Sequence, residues 1–237
     1  MEKFPDIIVL AGGFGTRLQT LVTDVPKPMA PVAGNPFLEW LIRYLSQFNP
    51  NKIILCTGYK HEVVESYFGS KFMNIPIVYS VETTPLGTGG AIKKALDLVE
   101  TEQCLVLNGD SFFKINLLNF LNFHITNDAL YSMALKPVAN PLRYGTVEMD
   151  GNRVVMFNEK KKDIKLGLIN TGVYLMKKSI YGNFPQNETF SIETDFMETC
   201  ANNFEIYGFI CDDYFIDIGI PEDYLKANHE FATLFNS

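Results

Sequence analysis

Residues 7–18 read Ile7-Ile8-Val9-Leu10-Ala11-Gly12-Gly13-Phe14-Gly15-Thr16-Arg17-Leu18, an apolar run of strand length that breaks into glycines. A second basic residue, Lys27, follows in the proline-bounded turn Val25-Pro26-Lys27-Pro28-Met29. Glycine lets backbone N–H groups approach a phosphate without interference from a Cβ atom, and Arg17 and Lys27 supply positive charge for it. The pattern predicts a strand that leads into a polyphosphate-binding loop.

Two known phosphate-loop motifs do not fit this stretch. A Walker A loop needs Gly-x4-Gly-Lys-Ser/Thr, and a dinucleotide fingerprint needs a third glycine where Leu18 stands. The missing glycine disfavours an NAD-dependent dehydrogenase. The plain alternative is a glycine-rich strand-to-helix turn without a ligand, which the added Arg17 and Pro26-Lys27-Pro28 disfavour.

Composition bounds the class of protein. The 237 residues suit one α/β domain, and the formal net charge of -7 disfavours a nucleic-acid-binding surface. No window approaches the ~18 apolar residues of a membrane span, and no secretory signal is apparent. The cysteines and histidines are scattered, which disfavours a zinc site or a catalytic histidine. We therefore expect reduced thiols and a cytoplasmic protein.

Strand-like and helical patterns alternate through the first half of the chain. This alternation predicts a parallel, doubly wound α/β sheet with right-handed crossovers. In the second half, residues 144–149 and 154–158 flank the turn Asp150-Gly151, which predicts a hairpin. Strands are predicted at 52–56, 75–81, 104–107, 168–176, 204–210 and 214–218. Helices are predicted at 62–68, 88–99, 116–123, 192–201 and 221–235.

Two acidic residues stand where predicted strands end. Asp110 follows Leu105-Val106-Leu107-Asn108-Gly109, and Asp217 follows Tyr214-Phe215-Ile216. Ligands of open α/β sheets bind beyond the carboxyl ends of the strands, so these carboxylates could together hold one Mg²⁺. A helix N-cap or a turn residue is the alternative for either aspartate taken alone.

The glycine-rich run, Gly-Gly-x-Gly-Thr-Arg-Leu, followed by Pro26-Lys27-Pro28, resembles the sugar-1-phosphate nucleotidylyltransferases. The resemblance covers nearly the whole chain. It implies a single-domain, Rossmann-like α/β fold of the nucleotide-diphospho-sugar transferase type, with a doubly wound, mixed and mainly parallel sheet. Within the domain at 1–237 it implies a nucleotide-binding half at 1–135, and a sugar-binding half with a C-terminal helix at 136–237.

The resemblance also implies a set of site residues. Catalytic roles fall to Arg17 and Lys27, and metal ligation falls to Asp110 and Asp217. The implied nucleotide site consists of Leu10, Ala11, Gly12, Gly13, Gly15, Thr16, Arg17, Glu82, Pro85, Gly87, Thr88, Asn108 and Gly109. The implied sugar-phosphate site consists of Gly145, Glu159, Lys160, Asn170, Thr171 and Gly172. Many members have proline after the Glu-Lys pair, where this chain has Lys161.

Longer strings, at 24–32, 36–39, 85–91 and 214–224, resemble one branch of the family, the D-glycero-α-D-manno-heptose 1-phosphate guanylyltransferases. That branch implies GTP and a heptose 1-phosphate as substrates, Mg²⁺ as cofactor, a role in capsule or surface polysaccharide biosynthesis, and neither a nucleic-acid nor a membrane partner. A homodimer is compatible with it. The alternatives are GTP with mannose 1-phosphate, dTTP or UTP with a hexose 1-phosphate, and a non-catalytic nucleotide-sugar sensor. A sensor could dispense with Lys27 and one aspartate, and this chain keeps them all.

Overall fold

The computed structural model describes residues 3–13, 25–158, 166–197 and 205–235. Its long strands are β1 (Asp6–Leu10), β4 (Ile53–Thr57), β6 (Ile75–Val81), β7 (Gln103–Asn108), β9 (Tyr131–Ala139), β10 (Thr146–Asp150), β11 (Arg153–Asn158), β12 (Leu166–Lys177) and β13 (Ile206–Ile210). The short strands are β2 (Pro31–Val32), β3 (Asn35–Pro36), β5 (Lys71–Phe72), β8 (Ser111–Phe113) and β14 (Phe215–Asp217).

Five helices accompany these strands within the described ranges. They are α1 (Phe37–Ser46), α2 (His61–Phe68), α3 (Gly87–Leu96), α4 (Leu117–Thr126) and α5 (Pro221–Leu234). Short 3₁₀ turns cover Lys27–Met29 and Lys178–Asn183, and a π-helical turn covers Ile192–Met197. None of the helices in the described ranges is long and apolar enough to cross a bilayer.

One ten-stranded sheet runs through the molecule in the order β10-β11-β13-β9-β12-β7-β1-β4-β6-β5. Strands β7, β1, β4 and β6 are parallel neighbours, as the alternation of patterns predicts. Strand β12 then joins β7 and β9 in antiparallel pairing, and β9 is parallel only to β13. The predicted mixed sheet is confirmed, but the parallel arrangement predominates in the first half of the chain only.

The core lies on both faces of the sheet, because its central strands are buried on both sides. In β1, Ile7 and Val9 pack on one face while Ile8 packs on the other. Helix α3 covers the second face with Ile92 and its neighbours. Helix α5 covers the first face, where Phe231 stacks on Phe37 with ring centroids 5.5 Å apart. The C-terminal helix thereby packs onto elements from the first half of the chain.

Two long elements carry weak local signals and are absent from the predictions. Helix α1 begins after Pro36, which supplies no side-chain cap, so no Ser, Thr, Asp or Asn marks its start. Strand β9 contains Pro137, which normally argues against an inner strand. Its pairing with β13 ends at Leu135, so Pro137 lies beyond that ladder and no N–H is missed on that side. The helix predicted at 192–201 is a π-helical turn as far as Met197.

Candidate active site

The carboxyl ends of β1, β4 and β7 lie side by side and open into a cavity of about 730 Å³. Leu10 is in register with Cys56 of β4 and with Asn108 of β7, so the residues that follow these strands meet at one edge. This is where ligands of open α/β sheets bind. The predicted residues that line the cavity are Leu10, Gly12, Gly13, Lys27, Glu82, Pro85, Gly87, Thr88, Asn108, Asp110 and Asp217.

Lys27, Asp110 and Asp217 converge on one wall of the cavity from distant parts of the chain. The Lys27 ammonium lies 2.6 Å from Asp110 Oδ2 and 3.5 Å from Asp217 Oδ1. Antiparallel pairing of β8 with β14 aligns Asp217 with Ser111, directly after Asp110. The Ile218 N–H also donates to the Asp110 carbonyl at 3.1 Å. The small two-stranded ladder therefore sets the two carboxylates side by side.

The electrostatics of this cluster favour binding of a further cation. Burial raises the pKa of Asp217, and the nearby Asp110 carboxylate raises it further, while Lys27 and the Gly219 N–H oppose the shift. The Gly219 N–H donates to Asp217 Oδ1 at 2.8 Å. Both carboxylates keep about a third of their side-chain surface exposed, at 35% and 29%, whereas Lys27 keeps 11%.

Two carboxylates facing a cavity suit a divalent metal ion that completes its shell with water and phosphate oxygens, as Mg²⁺ does. Clusters of three or more His, Cys, Asp or Glu residues suited to a metal are absent from the described ranges. The fit is thus to an ion that is shared with a substrate, rather than to a closed, all-protein metal site. Asp110 and Asp217 are the residues that would hold it.

The loop between β6 and α3 also lines the cavity. Glu82 directly follows β6, and its Oε2 accepts the Leu86 N–H at 3.0 Å, which closes the loop on itself. Its Oε1 lies against Gly12, where a Cβ atom would approach it to 2.8 Å. Burial raises the pKa of Glu82, and the bond from Leu86 opposes that shift. The carboxylate thereby lies between the loop and the end of β1.

A family model described as nucleotidyl transferase matches residues 6–233 of this chain. The chain belongs to the nucleotidyl transferase family. The family that the glycine-rich run and the Pro-Lys-Pro turn predict is therefore confirmed. Nucleotidyl transferases of this family generally use a divalent metal ion, in keeping with the two carboxylates at the cavity.

The similarity to known members extends over nearly the whole chain. This chain is 46% identical over 225 residues to the D-glycero-α-D-manno-heptose 1-phosphate guanylyltransferase of Aneurinibacillus thermoaerophilus. The match covers 95% of this chain and 97% of that protein. The enzyme of the same name from Campylobacter jejuni is 45% identical over 217 residues, covering 92% and 96%. The crystal structure of HddC from Yersinia pseudotuberculosis complexed with GMP-PN is 36% identical, with a TM-score of 0.84 over 96% of this chain and 100% of that chain.

Several predicted site residues of this nucleotidyl transferase do not line the cavity. Gly109 approaches Leu10 rather than a ligand, because its N–H donates to the Leu10 carbonyl at 2.9 Å. The Thr171 hydroxyl donates to the Ala134 carbonyl at 2.8 Å, and this side chain is buried inside the protein. Also set back from the cavity are Ala11, Gly145, Asn170 and Gly172. Gly15, Thr16, Arg17, Glu159 and Lys160 lie outside the described residues.

Asn170 and Gly172 contribute through their neighbours. The Gly172 N–H donates to Asn170 Oδ1 at 3.0 Å, and Asn170 Nδ2 donates to the Tyr174 hydroxyl at 2.7 Å. Gly172 has a φ of +73° and abuts the side chain of Asn108, which lines the cavity. This irregularity in β12 therefore places Gly172 against a residue of the cavity wall.

Gly58 and Tyr59 line the cavity and are missing from the sequence-based site. They directly follow β4, at the same edge of the sheet as Gly12 and Asn108. The rule that ligands bind beyond the carboxyl ends of parallel strands would have found them, had it been applied to every predicted strand.

Proposed function

We propose that this protein transfers a guanylyl group from GTP to D-glycero-α-D-manno-heptose 1-phosphate, giving GDP-heptose and pyrophosphate. The observation that carries the proposal is the convergence of Lys27, Asp110 and Asp217 at the cavity. A sensor of nucleotide sugars needs neither a partly buried ammonium nor a pair of carboxylates at the reacting phosphate. A transferase needs both, because charge develops there in the transition state.

In the proposed reaction a phosphate oxygen of the sugar 1-phosphate attacks the α-phosphorus of GTP in line. A new P–O bond forms as the bond from the α-phosphorus to the bridging oxygen breaks, and pyrophosphate leaves with the electron pair. The sugar phosphate is already ionised at neutral pH, so no general base is required. The chain contributes positioning and neutralisation of charge.

Lys27 is proposed to neutralise charge on the reacting phosphate, because its ammonium already lies at the carboxylate pair. Asp110 and Asp217 would hold Mg²⁺, and the chemistry that a bound Mg²⁺ supplies is polarisation of the α-phosphate. Arg17 is proposed to hold the leaving pyrophosphate, and Lys160 to reduce the repulsion between the two anionic substrates. These two roles rest on the family resemblance.

The choice of GTP is supported by the relatives' names and by the chemistry of Glu82. Guanine presents two neighbouring N–H donors on one edge, and a carboxylate can accept both. Uracil and thymine present a single N–H between two carbonyl oxygens, and a carboxylate repels those oxygens. Glu82 lines the cavity with one oxygen already held by Leu86, so its orientation is set before the base arrives.

We further propose that residues 1–135 hold the nucleotide and residues 136–237 the sugar, with reaction in the cytoplasm, where GTP is made. The placement of Asp217 beside Lys27 fits this division, since each proposed half then contributes a charged side chain to the same reacting centre. Mg²⁺ as the resident metal and a homodimeric state stay predictions.

A substrate panel tests the proposal. Pyrophosphate release would be measured with four nucleoside triphosphates, each paired with heptose, mannose and glucose 1-phosphates. We expect GTP to be preferred, and kcat/KM for the heptose 1-phosphate to exceed that for mannose 1-phosphate at least about tenfold, roughly 1.4 kcal/mol. Equal use of mannose 1-phosphate, or preference for dTTP or UTP, would assign the protein to another branch of the family. No turnover with any pair would favour the sensor.

A further inference from the structure

A segment from the second half of the chain makes hydrogen bonds to the loop that lines the cavity. We call residues 190–193, Phe190-Ser191-Ile192-Glu193, the clamp segment. The Phe190 N–H donates to the Leu86 carbonyl at 3.0 Å. In return, the Phe190 carbonyl accepts the N–H groups of Gly89 and Gly90 at 3.0 Å and 3.3 Å. Helix α3 has no side-chain cap at its N-terminus, so this distant carbonyl takes that place.

Side chains tighten the same contact. The Thr88 hydroxyl donates to Glu193 Oε2 at 2.7 Å and accepts the Ile192 N–H at 3.0 Å. The Ser191 hydroxyl donates to the same Glu193 oxygen at 2.8 Å. A hydrogen bond to an ionised carboxylate is stronger than one between neutral groups. The Thr88 hydroxyl is thus engaged within the protein, and only the rest of that residue faces the cavity.

The glycines of the loop are required by this close approach. Gly87 has a φ of +71°, and a Cβ atom there would lie 2.6 Å from the Phe190 carbonyl oxygen. A Cβ atom at Gly90 would collide with the carbonyl of Glu188. The backbone of residues 87–90 therefore has its position set by the segment around Phe190, and Gly87 and Thr88 carry that position into the cavity wall.

We propose that Glu193 is a positioning residue for nucleotide binding, acting through Thr88 to hold the loop 82–88 against the base. The inference rests on the proposed function, in which that loop contacts guanine. Glu193 is absent from the cavity lining within the described residues, so it acts through Thr88 and not by touching substrate. The affinity of the protein for its nucleotide thereby depends on a side chain from the half assigned to the sugar.

Matched substitutions test this inference. Thr88→Val keeps the shape of the side chain and loses both hydrogen bonds, whereas Thr88→Ser keeps them. Glu193→Leu removes the acceptor, whereas Glu193→Gln keeps a carbonyl oxygen for the Thr88 hydroxyl. We expect Thr88→Val and Glu193→Leu to raise KM for GTP about tenfold, the effect of losing one charge-assisted hydrogen bond. In Glu193→Leu we expect kcat and KM for the sugar 1-phosphate to stay within about twofold, and we expect Glu193→Gln to bring KM for GTP back toward the wild-type value. Thr88→Ser should keep KM for GTP below that of Thr88→Val.

The double variant Thr88→Val with Glu193→Leu separates a shared role from two independent ones. If Glu193 acts through Thr88, the KM of the double variant for GTP is no higher than that of the worse single variant. Multiplicative effects, an unchanged KM in Thr88→Val, or equal rises in KM for both substrates would overturn the inference. Should Glu193→Leu fail to fold, judged by its melting temperature, Glu193→Ala is measured in its place. If the wild type prefers another nucleoside triphosphate, the proposed function fails while the same variants test the clamp with that nucleotide.

Discussion

The ammonium of Lys27 lies 2.6 Å from a carboxylate oxygen of Asp110, although the two residues are 83 positions apart in the chain. The same ammonium lies 3.5 Å from Asp217, so one partly buried cation offsets the repulsion between two carboxylates. It stands where the positive charge of a metal ion would also be favourable. We therefore expect Lys27 and a divalent cation to compete for the carboxylates.

Replacement of Lys27 should separate metal binding from turnover. We expect Lys27→Met to bind Mn²⁺ about tenfold more tightly than the wild type without nucleotide, because the competing charge is gone. Turnover should fall about a hundredfold, on the order of 3 kcal/mol, because the charge at the reacting phosphate is lost. Calorimetric titration with Mn²⁺ and a pyrophosphate-release assay measure the two effects. Lys136→Met, at a remote ion pair with Asp212, is the control, and unchanged Mn²⁺ affinity in Lys27→Met would contradict the competition.

Neutralising either aspartate should abolish metal-dependent turnover without unfolding the protein. Asp110→Asn and Asp217→Asn should each lower kcat by about a hundredfold or more, since an amide cannot replace an anionic ligand. The double variant should be no worse than the more damaged single variant, because both residues serve one ion. Burial and Asp110 raise the pKa of Asp217, so its charge costs folding free energy at neutral pH. Asp217→Asn should therefore melt no lower than the wild type, and loss of activity in only one variant would indicate a single-carboxylate site.

Glu82→Gln should weaken the preference for guanine. The amide can still accept the Leu86 N–H, so the loop keeps its closure, but it offers the base a donor where guanine needs an acceptor. We expect the ratio of kcat/KM for GTP over UTP to fall at least about tenfold. Glu62→Gln, an exposed residue of α2, serves as the control. An unchanged ratio would assign base selection to backbone groups.

Gly172→Ala should perturb the cavity wall through Asn108. Alanine at a φ of +73° is strained by about 1 kcal/mol, and its Cβ atom would also collide with the Asn108 side chain. Gly151→Ala carries a similar φ of +56° with open space around it, so it isolates the backbone strain. We expect Gly172→Ala to melt lower than Gly151→Ala and to lose about tenfold in kcat/KM. Equal melting temperatures and full activity would show that Asn108 moves aside freely.

His124 should make the protein sensitive to mild acid. It is fully buried beside Ser132, and burial, followed by the charge of Lys177, lowers its pKa from 6.5 to about 4. Below pH 6.5 the unfolded chain binds a proton at His124, whereas the folded protein binds that proton only near pH 4. As the pH falls through that window, the contribution of His124 to the free energy of unfolding therefore decreases by about 1.4 kcal/mol per pH unit. Denaturant titrations should show a flatter dependence in His124→Asn than in the wild type or in His229→Asn, and equal slopes would refute the assignment.

Much of the first half of the fold is predictable because each element carries its own local pattern. The runs at 52–56, 75–81 and 104–107 become parallel strands, and the helix predicted at 62–68 is α2. The sheet of the second half is less predictable, since the twelve-residue strand β12 pairs with β7 only over its last five residues and with β9 along most of its length, with a shift in register. Antiparallel insertion of one long strand depends on which surfaces are free to pair, and no local pattern encodes that.

The chemical identity of the site follows from local sequence. Glycines after a strand, a lysine between prolines and aspartates at strand ends each indicate phosphate or metal chemistry through their own geometry and charge. The directions of side chains do not follow in the same way. Thr88 and Thr171 fall in stretches predicted to bind substrate, yet both hydroxyls are engaged inside the protein, with Glu193 and with the Ala134 carbonyl.

The sequence by itself determined which residues carry charges suited to a phosphate or a metal ion, and that Asp110 and Asp217 stand at the ends of strands. Only the tertiary structure decided that Lys27, Asp110 and Asp217 meet, because the β8–β14 ladder joins segments about a hundred residues apart. It also decided that the clamp segment, and not a local residue, caps α3. Local patterns arise from the periodicity of one helix or strand, whereas contacts between distant segments depend on the order in which strands and helices pack around a shared core.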